Sequence, residues 1–330
     1  MTNAIEQNGT GARDIGRHSR RRRGEGRGKP ARVPIFLSAL VLIASPFVLA
    51  PVPLVAQEQI DERRPLARDG HLRIQAVNHA VRVEAWDQDE VHLTGTIDPL
   101  TQRLEVSGDE RSVSIEIRHE GGESRNGPAG SLELRVPRGA MLSIGTVNGD
   151  LSIEGVEGGT VNVSTVNGAI RMDGSPATAA LQTVNGPIEF EGSTDDLQLH
   201  LVSSDVQIRG APRRVNVQSV SGRIDLQADE AMESIRVNTV AGEVVIAGAL
   251  TSRSSVEVQS HGGPVILRLP AGTPAAYEVS TFSGSIQNRL TDDEPRTVPR
   301  SNTLRFVVGD GSAQVRLNSF SGSITLEPAR

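Results

Sequence analysis

One phrase recurs along this chain and constrains its fold more than any other feature. TVNGDLSIEG, centred on Val147, returns as TVNGAIRMDG at Val166, TVNGPIEFEG at Val184, LVSSDVQIRG at Val202, SVSGRIDLQA at Val220 and TVAGEVVIAG at Val240. Looser copies follow at His261, Phe282 and Phe320, and a degenerate copy, AVNHAVRVEA, precedes them at Val77. From Val147 onward the anchors are 19, 18, 18, 18, 20, 21, 21 and 38 residues apart, and the last interval reads as two units, one of them blurred. A period of this size marks a stacked-repeat architecture.

Within each unit the apolar residues alternate with polar ones, the period of a half-buried strand. Five and three residues before the anchor stand pairs such as Val161 and Val163, Leu197 and Leu199, and Val215 and Val217. Four and six residues after it stand Leu151 and Ile153, Ile170 and Met172, and Ile188 and Phe190. Each unit therefore reads as strand, bend, strand, with both apolar sets facing inward. The bends carry Asn148-Gly149, Asn167-Gly168 and Asn185-Gly186, residue types that enter positive φ at least cost.

Asn-Gly between alternating runs is equally a hairpin signal. Strand number and aromatic content favour stacked coils over a meander. A membrane barrel needs strands of about 9 to 11 residues and aromatic girdles, and only four Phe, one Tyr and one Trp follow Ala56. The expected fold is all-β: a β-solenoid, β-helix-like, of about ten coils of 18 to 21 residues with N-terminal capping strands. The runs VHLTGTI, SVSIEI and SLELRV between residues 91 and 137 look out of phase with the repeat and are expected to close or flank that end. Phe282, Phe306 and Phe320 are expected to fill a terminal coil, and Trp86 to plug the first one. Residues 119–130 and 288–302 read as loops.

Charge is unevenly spread. Residues 1–56 hold nine basic and three acidic groups, a net +6, and the remainder is −12. Residues 1–32 form a basic N-terminus containing Arg20 to Arg23. Residues 33–56 are uncharged and read as a signal peptide or an N-terminal membrane anchor, cleaved after Ala56 or retained. Pro46, Pro51 and Pro53 interrupt a straight helix there and favour the signal. Residues 57–69 read as a linker, and 70–330 as the repeat domain. The expected location is the periplasm, cell envelope or exterior, with membrane contact only through the N-terminal segment. The acidic body argues against nucleic acid.

Catalytic signatures are scarce. There is no cysteine, no helical pair of histidines for zinc, and no helix after a glycine-rich bend to hold phosphate. Calcium would need a ligand row, yet Asp150 and Asp205 align with Ala169, Pro187, Arg223 and Glu243. No catalytic, cofactor or metal residue is assigned, and the chain is read as a non-enzyme. Two outward columns remain of interest. One holds Glu154, Asp173, Glu191, Arg209 and Arg268, the basis for the alternative of a carbohydrate-active β-helix enzyme, a lyase or hydrolase acting on polysaccharide. The other lies two residues before the anchors: Ser164, Gln182, His200, Gln218, Asn238, Gln259, Ser280 and Asn318. Its amides could read sugar hydroxyls, but a structural ladder or plain solvation is the favoured reading. Partners in view are cell-wall or surface polysaccharide and envelope proteins.

The repeated TVNG phrase, with VRVEAWDQDEVHL at 81–93 and FVVGDGSAQVRLNSFSGSITL at 306–326, resembles the bacterial putative-adhesin family of unknown function named for its β-strand repeats. The likeness runs from about His71 to Leu326. It implies a β-helix-like fold displayed in the envelope or outside the cell, in a structural or surface-binding role. His79 and Ser204 depart from the glycine expected in their bends.

Overall fold

In a computed structural model the alternation becomes two stacks of strands joined through the bends. It describes residues 58–97, 102–119, 130–298 and 301–329, which fall within one folded unit, Leu54–Arg330. Every described regular element is a β-strand. The basic N-terminus and the signal or anchor segment lie outside the described residues.

The strands that enter the bends pair in parallel. Leu142 lies beside Val161, then Ala179, Leu197, Val215, Ile235 and Val256. The strands that leave the bends form a second parallel ladder, in which Ile153, Met172, Phe190, Ile208, Leu226, Ile246, Leu267 and Leu326 succeed one another. Side chains of period two thus become continuous buried columns. The inward pairs named from the sequence are all 2% exposed or less. Each such side chain contributes about 1.5 to 3 kcal/mol by leaving water, so small aliphatics suffice without many aromatic rings.

The bends stack as closely as the strands. Gly168 donates its N–H to the Asn185 carbonyl, and the asparagine side chains form a ladder of their own. Asn148 donates to Asn78 at 2.7 Å, Asn167 to Asn148 at 2.8 Å and Asn185 to Asn167 at 3.0 Å. The two irregular bends stay in register. At the first, Asn78 takes the positive φ (59°) and buried His79 occupies the glycine position. At the second, Ser204 is buried and its N–H donates to Ser221.

At both ends the stacking order departs from chain order. SVSIEI and SLELRV are not out of phase: Val113 and Ile115 lie beside Leu72 and Ile74, and Leu132 and Leu134 beside Val81 and Val83. They form a unit outside the Val77 unit, which is held between them and the Val147 unit. Likewise the Phe320 unit inserts between those of His261 and Phe282, with Leu317 beside both Val258 and Val279. The first and last units in sequence are therefore sandwiched, which pins segments that would fray at an exposed end. The 38-residue interval does not hide a blurred coil. It carries antiparallel strands, Arg296–Val298 and Ser301–Val308, the second alongside Ala275–Thr281. These strands also take up part of the loop expected at 288–302, at 296–298 and 301–302.

Antiparallel strands flank the other end. Gln102–Asp109 pairs with Ser112–His119, and Glu90–Ile97 with Gly130–Pro137. The expected linker at 57–69 instead contributes the strand Glu58–Pro65, paired with Glu90–Ile97. Ile60 is its buried aliphatic; the charges of Asp61 to Arg64 leave no apolar period to read. Such charges suit a sheet edge, where they discourage pairing with another chain.

Candidate functional site

Alternation has a consequence for the anchors themselves. With the residues five, three and one before them buried, the anchors must face out. Val166, Val184, Val202, Val220 and Val240 are 38–52% exposed and form a ridge along the bends. The ridge ends in stacked rings: His261 lies 4.7 Å from Phe320, and Phe320 5.0 Å from Phe282, with interplanar angles of 3° and 10°. Phe282 and Phe320 therefore do not fill a terminal coil as expected. Phe306 is buried, but on the flanking antiparallel strand Ser301–Val308, 4.4 Å from Tyr277.

Beside the ridge runs the column two residues earlier. Ser164, Gln182, His200, Gln218, Asn238 and Gln259 lie in register on successive strands, and the column continues through Asn318 to Ser280. Ridge and column together bound an open groove of about 1260 Å³. Its wall is aliphatic and aromatic, and its floor is amide and hydroxyl. Among the described residues no Asp, Glu, Arg or Lys lines it, although such residues make up 22% of the chain. Beneath the floor, Thr and Ser hydroxyls are buried and several close their own bends. Ser219 donates to the Ser221 carbonyl at 3.2 Å and Ser260 to that of Gly262 at 2.7 Å.

The floor amides do not form the structural ladder that the sequence allowed. The ladder lies three residues further on, at the bend asparagines. Gln182, His200, Gln218 and Asn238 have no side-chain partner among the described residues. Toward the aromatic end, Gln259 donates to Glu257 at 2.8 Å and Ser280 to Asn318 at 2.6 Å.

The other outward column lies on the second ladder, away from the groove. Glu154, Asp173, Glu191 and Arg209 are neighbours there, while Arg268 stands further along. Glu154 pairs with Arg82 at 3.1 Å and Arg268 with Glu327 at 2.8 Å. Asp150 and Asp205 join one bend to the next. Each carboxylate accepts a backbone N–H of the following unit, from Ala169 at 2.8 Å and Arg223 at 2.7 Å. Among the described residues no three His, Asp or Glu side chains gather as a metal site.

Trp86 is neither a buried plug nor a free platform. It is half-buried, its indole N–H donates to the Glu90 carbonyl at 2.9 Å, and the Arg135 guanidinium lies 6.0 Å from the ring centre. At the same end Arg138 bonds to Asp87 at 2.8 Å, which holds that carboxyl below its usual range.

The signal for the ridge was present in the repeat, since the parity that buries Val163 exposes Val166. The groove was less visible, because its lining residues on neighbouring strands are at least 18 positions apart in the chain, and Gln259 and Asn318 are 59 apart.

The model of the Toastrack DUF4097 family matches residues 70–327. Solved structures that match this chain include a putative adhesin from Bacteroides fragilis, 11% identical over 82% of this chain and 98% of its own (TM-score 0.43). Another is a putative lipid binding protein from Parabacteroides distasonis, 14% identical over 82% of this chain and 97% of its own (TM-score 0.43). A third is a putative cell adhesion protein from Clostridium sporogenes, 11% identical over 82% of this chain and 100% of its own (TM-score 0.22).

Proposed function

The chain belongs to the Toastrack DUF4097 family, and from that premise we propose that it is a non-catalytic, adhesin-like binding module of the cell envelope, whose ligand lies in the groove beside the bends. The carrying observation is a lining without Asp, Glu, Arg or Lys among the described residues, with an apolar ridge on one side and the unpartnered amides of Gln182, Gln218 and Asn238 on the other. Exposed apolar surface organised into one continuous strip is a feature of binding sites rather than of ordinary solvated faces. In this reading the solenoid is a rigid rack of coils with its ends capped by the antiparallel strands. The N-terminal segment supplies export, with cleavage after Ala56 or retention as an anchor, which leaves the rack outside the cytoplasm.

The test is cosedimentation of the full chain with isolated bacterial envelopes, compared with the ridge variant Val202→Asp/Val240→Asp. Wild type should pellet and the variant should stay in solution, with both melting alike. Equal pelleting would overturn the assignment of the groove. The enzyme alternative rests on the adjacent carboxylates Glu154, Asp173 and Glu191. It would be favoured over ours by release of new sugar ends from polysaccharide that Asp173→Asn abolishes.

A further inference from the structure

We infer that the ligand of this groove is a neutral, extended polysaccharide chain lying along the stacking axis, one sugar to each coil. The inference rests on the groove being the binding site as proposed above, and adds the chemistry of the occupant. Three observations carry it.

The floor repeats by translation. Gln182, His200, Gln218 and Asn238 present one unpartnered polar side chain per strand, and strands succeed one another every ~4.8 Å. A site that repeats a single group along one direction is matched by a polymer that does the same. Successive sugars of a ribbon-like β-1,4-linked chain advance by only slightly more than this spacing and turn over at each step, so each sugar offers the floor a hydroxyl-bearing edge, with the two edges alternating.

The lining has two chemical characters side by side. A sugar presents hydroxyls at its rim and C–H groups on its faces, so hydroxyls can meet the amides while C–H faces lie on Val184, Val202, Val220 and Val240. An acyl chain would cover the same ridge but desolvate the amides without giving them a partner. A peptide strand would find no backbone edge, because the floor residues belong to strands already paired on both sides.

Among the described residues the lining holds no Asp, Glu, Arg or Lys. Uronates, phosphorylated polymers and nucleic acids would meet no arginine or lysine there, and anionic partners depend on such groups.

The experiment is calorimetric titration of the full chain with β-1,4-linked N-acetylglucosamine and glucose oligomers from disaccharide to octasaccharide. Polygalacturonate and neutral phosphatidylcholine vesicles serve as the competing classes. Affinity should rise by roughly threefold or more per added sugar, as expected for one net hydrogen bond each. It should level off once the chain spans the floor and change little with salt. Gln182→Ala/Gln218→Ala/Asn238→Ala should weaken the longest oligomer at least about tenfold with unchanged melting. Binding to none of the neutral oligomers, affinity independent of length, or a preference for polygalacturonate or vesicles would each overturn the inference. If envelope cosedimentation still required the valine ridge, the groove would stand and only its occupant would be wrong. If it did not, both readings would fall.

Discussion

Gly186 lies directly against the carbonyl of Gly168: a Cβ on Gly186 would stand 2.1 Å from that oxygen, and the residue has a φ of 136°. The contact recurs from bend to bend, with Gly168 against Gly149 and Gly242 against Gly222. It explains why the repeat keeps a glycine here, since the bends must stack at the strand spacing. Gly186→Ala should therefore cost at least about 2 kcal/mol, through backbone strain and the carbonyl clash together. Ser204 occupies the same place in its unit without a positive φ, so Ser204→Gly should change stability by less than about 1 kcal/mol. Denaturant midpoints of the two variants check the contrast.

Val217 and Gln218 are adjacent, one buried and one exposed. Val217→Asp puts a carboxylate in an apolar column with no cation facing it, a substitution that should prevent folding. Gln218→Asp should leave the melting temperature nearly unchanged, within about 0.5 kcal/mol. Similar losses in the two variants would contradict the inward and outward assignment.

Aromatic size has no fixed meaning in this fold. Phe190 is 1% exposed and Phe320 is 47% exposed. Phe190→Ala should cost about 3 to 5 kcal/mol as a core truncation. Phe320→Ala should cost about 1 kcal/mol, the scale of a lost ring contact. Parallel denaturation curves will separate them.

Tyr277 is buried beside Phe306 and donates to the Thr273 carbonyl at 3.3 Å. Burial pushes its phenol up from 10.0 to about 12. The folded chain thus keeps a proton that the unfolded chain releases. The stability linked to the neutral phenol is fully present below pH 10 and is lost as pH rises toward about 12. Because the chain has a single tyrosine, tyrosinate absorbance should report this one group directly. Tyr277→Phe should abolish the absorbance change and flatten the fall in melting temperature across that window.

The burial of Val217, Leu199 and Phe190 was legible in the sequence alone. They fall at fixed offsets in an alternating pattern, and alternation is a local property of the chain. The strand Glu58–Pro65 was not legible, because an edge strand needs paired backbone groups and little apolar side chain. Nor was the exposure of Phe282 and Phe320, since their size suggested burial while their parity dictated the opposite.

By itself the sequence determined the strand–bend–strand unit, the inward columns and the glycine-bearing bends, because side-chain period and bend chemistry act within about twenty residues. Only the tertiary structure decided that the first and last units are tucked inside their neighbours. Strand partners so distant in the chain are chosen by register and by burial of exposed edges, which no local pattern specifies. It also turned the anchors and the column two residues before them into a groove that no Asp, Glu, Arg or Lys lines among the described residues. Residues 18 to 21 positions apart become neighbours at one strand spacing only once the coils have stacked.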